Sequence, residues 1–388
     1  MVSEMNLVKL KRFILSPYTL FIVAILIPPL FVVDPFWVNR LSLYLVFSVL
    51  ALSMSLCWGY AGILSLGHGV FFGLGAYCMA MSLKLLSPDS LTQGTPFPLP
   101  DFIVWNTPPG EALKLPWLWV PFQNQWFGLV AALLVPALFA ALVGWFVFYG
   151  SVSGVFISII TLSMVVILNL VIIDQQPLTN GFNGLNNLAM FNVGGFEFDP
   201  YGLPTYYLIA IACALTLLGT RWLTQTKAGL IFKAIQADEQ RVKYFGYDIA
   251  AYKIFALSVS AMIAGLAGVL FVINSQYASP TIMDVTLSIA IVIWVAVGGR
   301  DSLIGAAVGA IAINAIQNVL SESESLINVW RLLLGILFLL VVMFLPKGLA
   351  SLGSLLQRSP SVTTDTATPV EAVDSQPLKL LSQVEPRK

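Results

Sequence analysis

Apolar runs of roughly 17 to 25 residues, the length needed to cross a hydrocarbon core of about 30 Å, dominate the chain and are parted by short polar stretches. They fall near residues 18–36, 41–59, 61–83, 127–149, 154–173, 205–222, 253–274, 286–298, 303–320 and 330–345. The pattern predicts an all-α integral membrane protein of about ten transmembrane helices. Two runs stand apart. The run 61–83 is rich in glycine and reads either as a full crossing or as partly re-entrant, and 286–298 is short. Composition agrees with the pattern: 58% of residues are apolar and 10% charged, against about 25% charged in soluble domains.

The charges that remain are sorted by side. With the N-terminus inside, 15 of the 19 Lys and Arg fall in inner segments, leaving Arg40, Lys84, Lys114 and Arg331 outside. Outer loops carry acids instead, among them Asp101, Glu111, Asp174, Glu197 and Asp199. This positive-inside bias predicts an N-in, C-in topology. A cytoplasmic segment 1–17 then precedes a membrane domain 18–350. Its run after Lys9, Lys11 and Arg12 lacks a small-residue cleavage site and reads as a retained first crossing. Loop 84–126, rich in Pro and Trp, is expected to lie on the outer surface, a lid or docking role being the sharper reading. The polar stretch 351–388 reads as a disordered cytoplasmic tail.

Several chemistries are excluded. No Lys is followed by Ser or Thr, so no Walker A loop exists to cradle ATP phosphates. A single histidine rules out a His-based metal cluster. Ser65 three residues before His68 lacks a third orienting group for hydrolysis. Acidic pairs deep in a helix, expected of many proton-coupled pumps, are missing. The chain reads as a path without its own motor, with no bound cofactor and no metal.

Two segments share a pattern. Gly62–Ala76 and Gly299–Ala310 both show G-x-x-S-L (Gly62, Ser65, Leu66; Gly299, Ser302, Leu303). Small residues follow at helical spacing, Gly69 and Gly73 in one and Gly305 and Gly309 in the other, so that each helix can approach a neighbour closely. Paired Gly-interrupted segments suggest an internal repeat flanking a transport path. Gly67 belongs to the same packing set. His68 reads first as a histidine satisfied by a backbone carbonyl near the cytoplasmic end, and alternatively as a path residue. Asn314, Gln317 and Asn318 share one helix face, and Asn169 sits near the outer end of its helix. Such amides glue helices together or line a cavity. With Ser65 and Ser302 they complete the candidate path, and the absence of mid-membrane charge fits a neutral solute.

Between two apolar runs lies Thr220–Lys253, the one extended charged stretch, with 223–252 expected outside the lipid. From Gly229 it predicts an amphipathic helix to Gly246, a natural stop, with Ile231, Ile235, Val242 and Phe245 on its apolar side. Lying on the anionic inner leaflet is one reading. Asp238 and Glu239 weaken that attraction and favour docking of a protein on Gly229, Ile231, Ala234, Ile235, Asp238, Glu239, Val242 and Gly246.

The runs LSLGHG (64–69), LTNGFNGL (178–185), GLIFKAIQADEQRVKYFGYDIAAYKIFAL (229–257), VGGRDSLIG (297–305) and FLPKGL (344–349) together resemble the branched-chain amino acid ABC importer permease family. The likeness is closest to its urea-importer branch, through G-H-G, the outer insert with PDFIVWN and LPWLWVPF, and SGVFISIIT at 153–161. Two departures stand out: Gly150–Ser153 where members carry Arg, and Asn180 within the family's L-T-G-G. The resemblance implies a second homologous permease subunit, two cytoplasmic ATPase subunits that hold ATP-Mg, a periplasmic substrate-binding protein and a place in the bacterial inner membrane. Helix 229–246 would be the element gripping an ATPase. Urea is the expected solute and branched-chain amino acids the alternative. A self-sufficient channel or secondary transporter for small polar solutes is the rival of another class. Nothing suggests an enzyme or a nucleic-acid partner.

Overall fold

The computed structural model describes residues 17–31, 34–87 and 98–322, with isolated positions 332, 335–336, 339 and 348–349. The tail 351–388 and nearly all of the segment 1–17 lie outside the described residues, as does most of the run 330–345. Each of the other nine apolar runs has a helical counterpart. In chain order these are α1 (Pro17–Leu26), α2 (Pro35–Met54), α3 (His68–Leu85), α5 (Gln125–Tyr149), α6 (Val155–Asp174), α7 (Leu203–Gln225), α10 (Ile249–Ser275), α11 (Val285–Gly298) and α12 (Leu303–Glu322). Shorter helices α4 (Asp101–Asn106), α8 (Lys227–Ala237) and α9 (Glu239–Tyr244) lie between them. Six of the described helices, α2, α5, α6, α7, α10 and α12, are long and apolar enough to cross a membrane.

The run 18–36 is not one helix. Pro28 and Pro29 each lack an N–H and their rings crowd the preceding turn, so α1 ends at Leu26 and a 3-10 turn, Pro28–Leu30, follows. Helix α2 then starts afresh, with Asp34 accepting from Phe36 N at 3.0 Å. At its far end α2 widens into a π-helical stretch, Ser55–Tyr60, a distortion that occurs mostly as single-turn bulges at functional sites.

Helix α10 lies at the centre, packed on α5, α3 and α2. One contact shows how closely. Pro136 in α5 leaves the Ala132 carbonyl without its helical N–H, and Gly265 of α10 lies against that oxygen, where any side chain would collide. Helix α3 is buried along its whole length except at Leu74. By contrast α5 and α6 expose Leu134, Leu138, Leu142, Ile159, Ile167 and Leu170. A face of that kind belongs against hydrocarbon.

One end of the bundle is capped by loops. A hairpin pairs Phe191–Val193 with Phe196–Phe198 through Gly194 and Gly195, both at positive φ. Loop 84–126 does not simply lie on the surface. Trp105 and Trp117 are exposed, whereas Trp119 is fully buried and its indole N–H donates to Leu178 O at 3.1 Å. Lys84, with a side chain 4% exposed, ties α3 to this cap through Asp101 at 3.3 Å and Asn186 O at 3.1 Å. The opposite end carries the charged helices α8 and α9.

Candidate functional site: a helix junction at half depth and a charged docking end

After the π-helical stretch the chain does not turn directly into α3. Gly62, at φ 71°, starts a non-helical stretch to Gly67 that runs along α6. Its backbone is satisfied by side chains of that helix: Ser158 Oγ donates to Leu64 O at 2.7 Å, and Leu66 N donates to Thr161 Oγ1 at 3.0 Å. Non-helical backbone at membrane depth persists only where protein or water provides such partners. At the stretch's end Gly67 packs against Met164, the tenth residue of twenty-residue α6. At 1.5 Å per residue, α3 therefore begins about 15 Å along a helix of about 30 Å, which is halfway across.

His68 thus sits at half depth and not near the cytoplasmic end. It is fully buried, with Nε2 2.7 Å from Ser260 Oγ and Nδ1 3.3 Å from Ser65 O. Ser260 donates its only hydroxyl proton to Ser53 O at 2.6 Å. The two ring nitrogens thus face a hydroxyl and a backbone carbonyl. His68 ties α3 to α10 and α2.

The second repeat segment behaves differently. Gly299 also has positive φ, 111°, but α12 follows almost at once, with Ser302 Oγ accepting from Gly305 N at 3.1 Å. The two sets of small residues meet a common neighbour. On α3, Gly73 faces Met283, and a Cβ on Gly69 would stand 2.6 Å from Ser288 Oγ. On α12, Gly305 and Gly309 lie against Gly298 and Trp294. Both glycine pairs therefore clasp α11 and the turn before it.

The amides serve the bundle. Asn314 Nδ2 donates to Ala310 O at 2.8 Å, and Asn318 Oδ1 accepts from Arg40 Nη1 at 2.6 Å, joining α12 to α2. Gln317 is partly exposed. Asn169 Nδ2 donates to Pro280 O at 2.8 Å, pinning the linker before α11 to α6. These residues are spread over α6 and α12 and do not converge on one cavity.

At the charged end the expected single helix 229–246 is two. Asp238, at φ −162° and ψ 102°, breaks it and caps α9 by accepting from Arg241 N at 3.1 Å. A capping aspartate competes with helical backbone for its own hydrogen bonds, which explains the break. Gly246, at φ 81°, follows the end of α9. Gly229 and Ile235 point inward and are buried, as is Phe232, whose ring meets Tyr252 and Phe255. These hold the pair of helices to its own chain and are not free to dock. Glu239 forms an ion pair with Lys253, whose side chain is 7% exposed. Lys233 Nζ lies 5.0 Å from the Tyr60 ring, and Gln236 rests on Gly62, so α8 touches the start of the stretch that leads to His68.

The outward face is a groove of about 470 Å³ along Ile231, Ala234, Ala237, Asp238, Arg241, Val242, Phe245 and Tyr247. Tyr244 and Phe245 beside it are 89% and 81% exposed. Phe245, expected on the same apolar side as Ile235, is turned out.

Comparison with known proteins agrees with this architecture. The profile of the family described as branched-chain amino acid transport system / permease component matches residues 36–342. The high-affinity branched-chain amino acid transport system permease protein LivM of Escherichia coli K12 is 24% identical over 364 residues, covering 85% of this chain and 74% of that protein. The ribose import permease protein RbsC of Haemophilus influenzae is 24% identical over 197 residues, 49% of this chain and 58% of its own length. No solved structure matches. The chain belongs to the family of permease components of branched-chain amino acid transport systems, multi-pass membrane subunits that transport and are not enzymes.

Proposed function

We propose that this chain is one of two permease subunits of an ATP-driven importer in the bacterial inner membrane, with branched-chain amino acids as its first substrate reading. The observation that carries the importer mechanism is the groove on α8 and α9. The chain has no nucleotide-binding motif, so its driving force must enter through a contact. The groove supplies an exposed apolar surface with a small-residue floor at Ala234 and Ala237, rimmed by aromatics. Anchors of that kind fit a protein partner. ATPase subunits carrying ATP-Mg would dock there. Motion of α8 and α9 would pass through Gln236 and Gly62, and through Glu239 and Lys253, into α2 and α10. The charged end would then be cytoplasmic, with an N-in, C-in arrangement of about ten crossings, and the loop cap would receive a substrate-binding protein.

The substrate reading follows what LivM is named for. Urea is the second reading, favoured by the likeness of the 64–69, 100–106, 115–122 and 153–161 stretches to the urea-importer branch. Replacing both floor residues, Ala234→Trp with Ala237→Trp, is expected to lower ATP-driven uptake of labelled leucine at least about tenfold, equivalent to about 1.4 kcal/mol of coupling. Membrane insertion should be unchanged. Unaltered uptake would sink the docking role, and uptake by the chain without ATPase subunits would replace it with a channel or secondary transporter. Competition of leucine uptake by urea, and the reverse, decides between the two substrates.

A further inference from the structure

We propose that Asp284 faces the translocation path at the middle of the membrane and accepts hydrogen bonds from the N–H donors of the passing solute, a charged ammonium above all. The proposal rests on the permease reading above and names a binding group within it.

Depth comes first. Helix α11 has fourteen residues, and its far end, Gly298–Gly299, packs against Gly305 and Gly348 beside the turn at Arg300, near the charged end. At 1.5 Å per residue Asp284 lies about 21 Å from that end. A second ruler runs the other way. Gly69 is beside Ser288 and the Asp284 carbonyl, and Lys84, at the loop cap, is about 22 Å further along α3. The two lengths sum to the thickness of a bilayer with its headgroups, about 40–45 Å. Asp284 is therefore near the midplane, where α3 and α11 both begin and their N-termini adjoin.

Exposure comes second. Asp284 and Thr286 are both exposed. One carboxylate oxygen accepts from Val285 N at 2.7 Å and the other from Thr286 Oγ1 at 3.0 Å. Among the described residues no Lys, Arg or His lies within 4.0 Å of it. A carboxylate has about four lone-pair sites, so about two stay open. An open carboxylate at this depth is not tolerated against lipid and marks a water-filled cavity or a substrate pathway. One turn along, Ser288 is 1% exposed, and its hydroxyl, without a hydrogen-bond partner, points into the notch left by Gly69. The Asp284 carboxylate thus keeps acceptor capacity open at the junction, which suits a solute that brings N–H groups. On this placement the expectation that no charge lies at mid-membrane would fall, and with it the argument that favoured a neutral solute.

The test uses the full complex in proteoliposomes and two independent readouts. Asp284→Cys and Thr286→Cys should react with a charged, water-soluble thiosulfonate, more slowly when leucine is present. The native Cys57, Cys78 and Cys213 are buried and serve as the unreactive background. Asp284→Asn retains a helix-capping side chain, so the fold is kept, and should lower leucine uptake at least about tenfold. Asp284→Glu should recover part of it. Loss of leucine uptake with urea uptake intact assigns the site to ammonium, and loss of both assigns it to N–H donors in general. Unreactive cysteines at both positions, or uptake by Asp284→Asn equal to wild type for both solutes, overturns the proposal. A wild-type complex that imports neither solute while the cysteines still react would overturn the substrate reading alone.

Discussion

The segments Gly62–His68 and Gly299–Leu303 start alike and end differently. Each opens on a glycine at positive φ, and each uses a serine hydroxyl to take an N–H near the coming helix: Ser65 from Gly67 at 3.3 Å and Ser302 from Gly305 at 3.1 Å. The second segment becomes helix immediately. The first stays unwound to half depth. The matched residues do not explain that difference, because it is supplied from elsewhere in the chain. Ser158 and Thr161 on α6 satisfy the unwound backbone of 62–67, and Ser302 needs no such help. A motif of five positions specifies how a helix starts, and its neighbours specify how deep.

The sharpest way to break this comparison is to remove the neighbours. Ser158→Ala with Thr161→Val leaves the partly buried Leu64 carbonyl and Leu66 N–H without these partners, at up to about 1–3 kcal/mol for each group. The expected result is a large fall in thermal stability of the purified complex. Ser302→Ala removes only a cap and should cost about 1 kcal/mol. If the two variants prove equally stable, the neighbours are not what carries the unwound stretch. Next in size is overpacking of the clasp around α11. Gly73→Leu and Gly309→Leu each drive a side chain into that helix and its leading turn, and each should cost about 1–3 kcal/mol. Similar losses at the two sites would confirm that both repeats hold one common element. A loss at Gly309 alone would mean that α3 only touches α11.

Much of the fold is legible because lipid demands long apolar helices, and nine of the runs that read that way are helices. The failures have local causes. Pro28 and Pro29 cut one run in two, and Asp238 cuts the amphipathic helix, since a capping side chain within an apolar periodicity does not disturb the period. Ile235 reads as part of a docking face because the spacing of apolar residues shows that a helix has an apolar side and not which body covers it. Here the chain covers Ile235, and the groove runs over Ile231, Ala234, Ala237, Val242 and Phe245. His68 is misplaced in depth when residues 62–67 are counted as helix. Asp284 is passed over in the same reading, although a signal exists: the apolar run 286–298 is short for a crossing, and the acid stands just before its start.

A third helix start, Asp248 before α10, completes the comparison at the exposed extreme and should show the smallest effect. Its carboxylate accepts from Ala251 N at 3.1 Å and from the Tyr149 hydroxyl at 2.9 Å. The Ala251 N–H first, and the tyrosine next, hold its pKa below the ordinary value of 3.8. A depressed carboxyl pKa gives stability that is complete above the ordinary value and is lost as pH falls through the folded one. The window is therefore below pH 3.8, and the group is so exposed that solvent screens most of the effect. Asp248→Asn keeps a capping side chain and removes the charge. Thermal stability followed from roughly pH 7 down to 3 should match wild type over the upper range and lack part of the wild-type decline at the acid end. If the variant were strongly destabilised near neutral pH, this start would depend on its charge as heavily as the buried stretch depends on Ser158 and Thr161. Solvent exposure would then not be what separates the three.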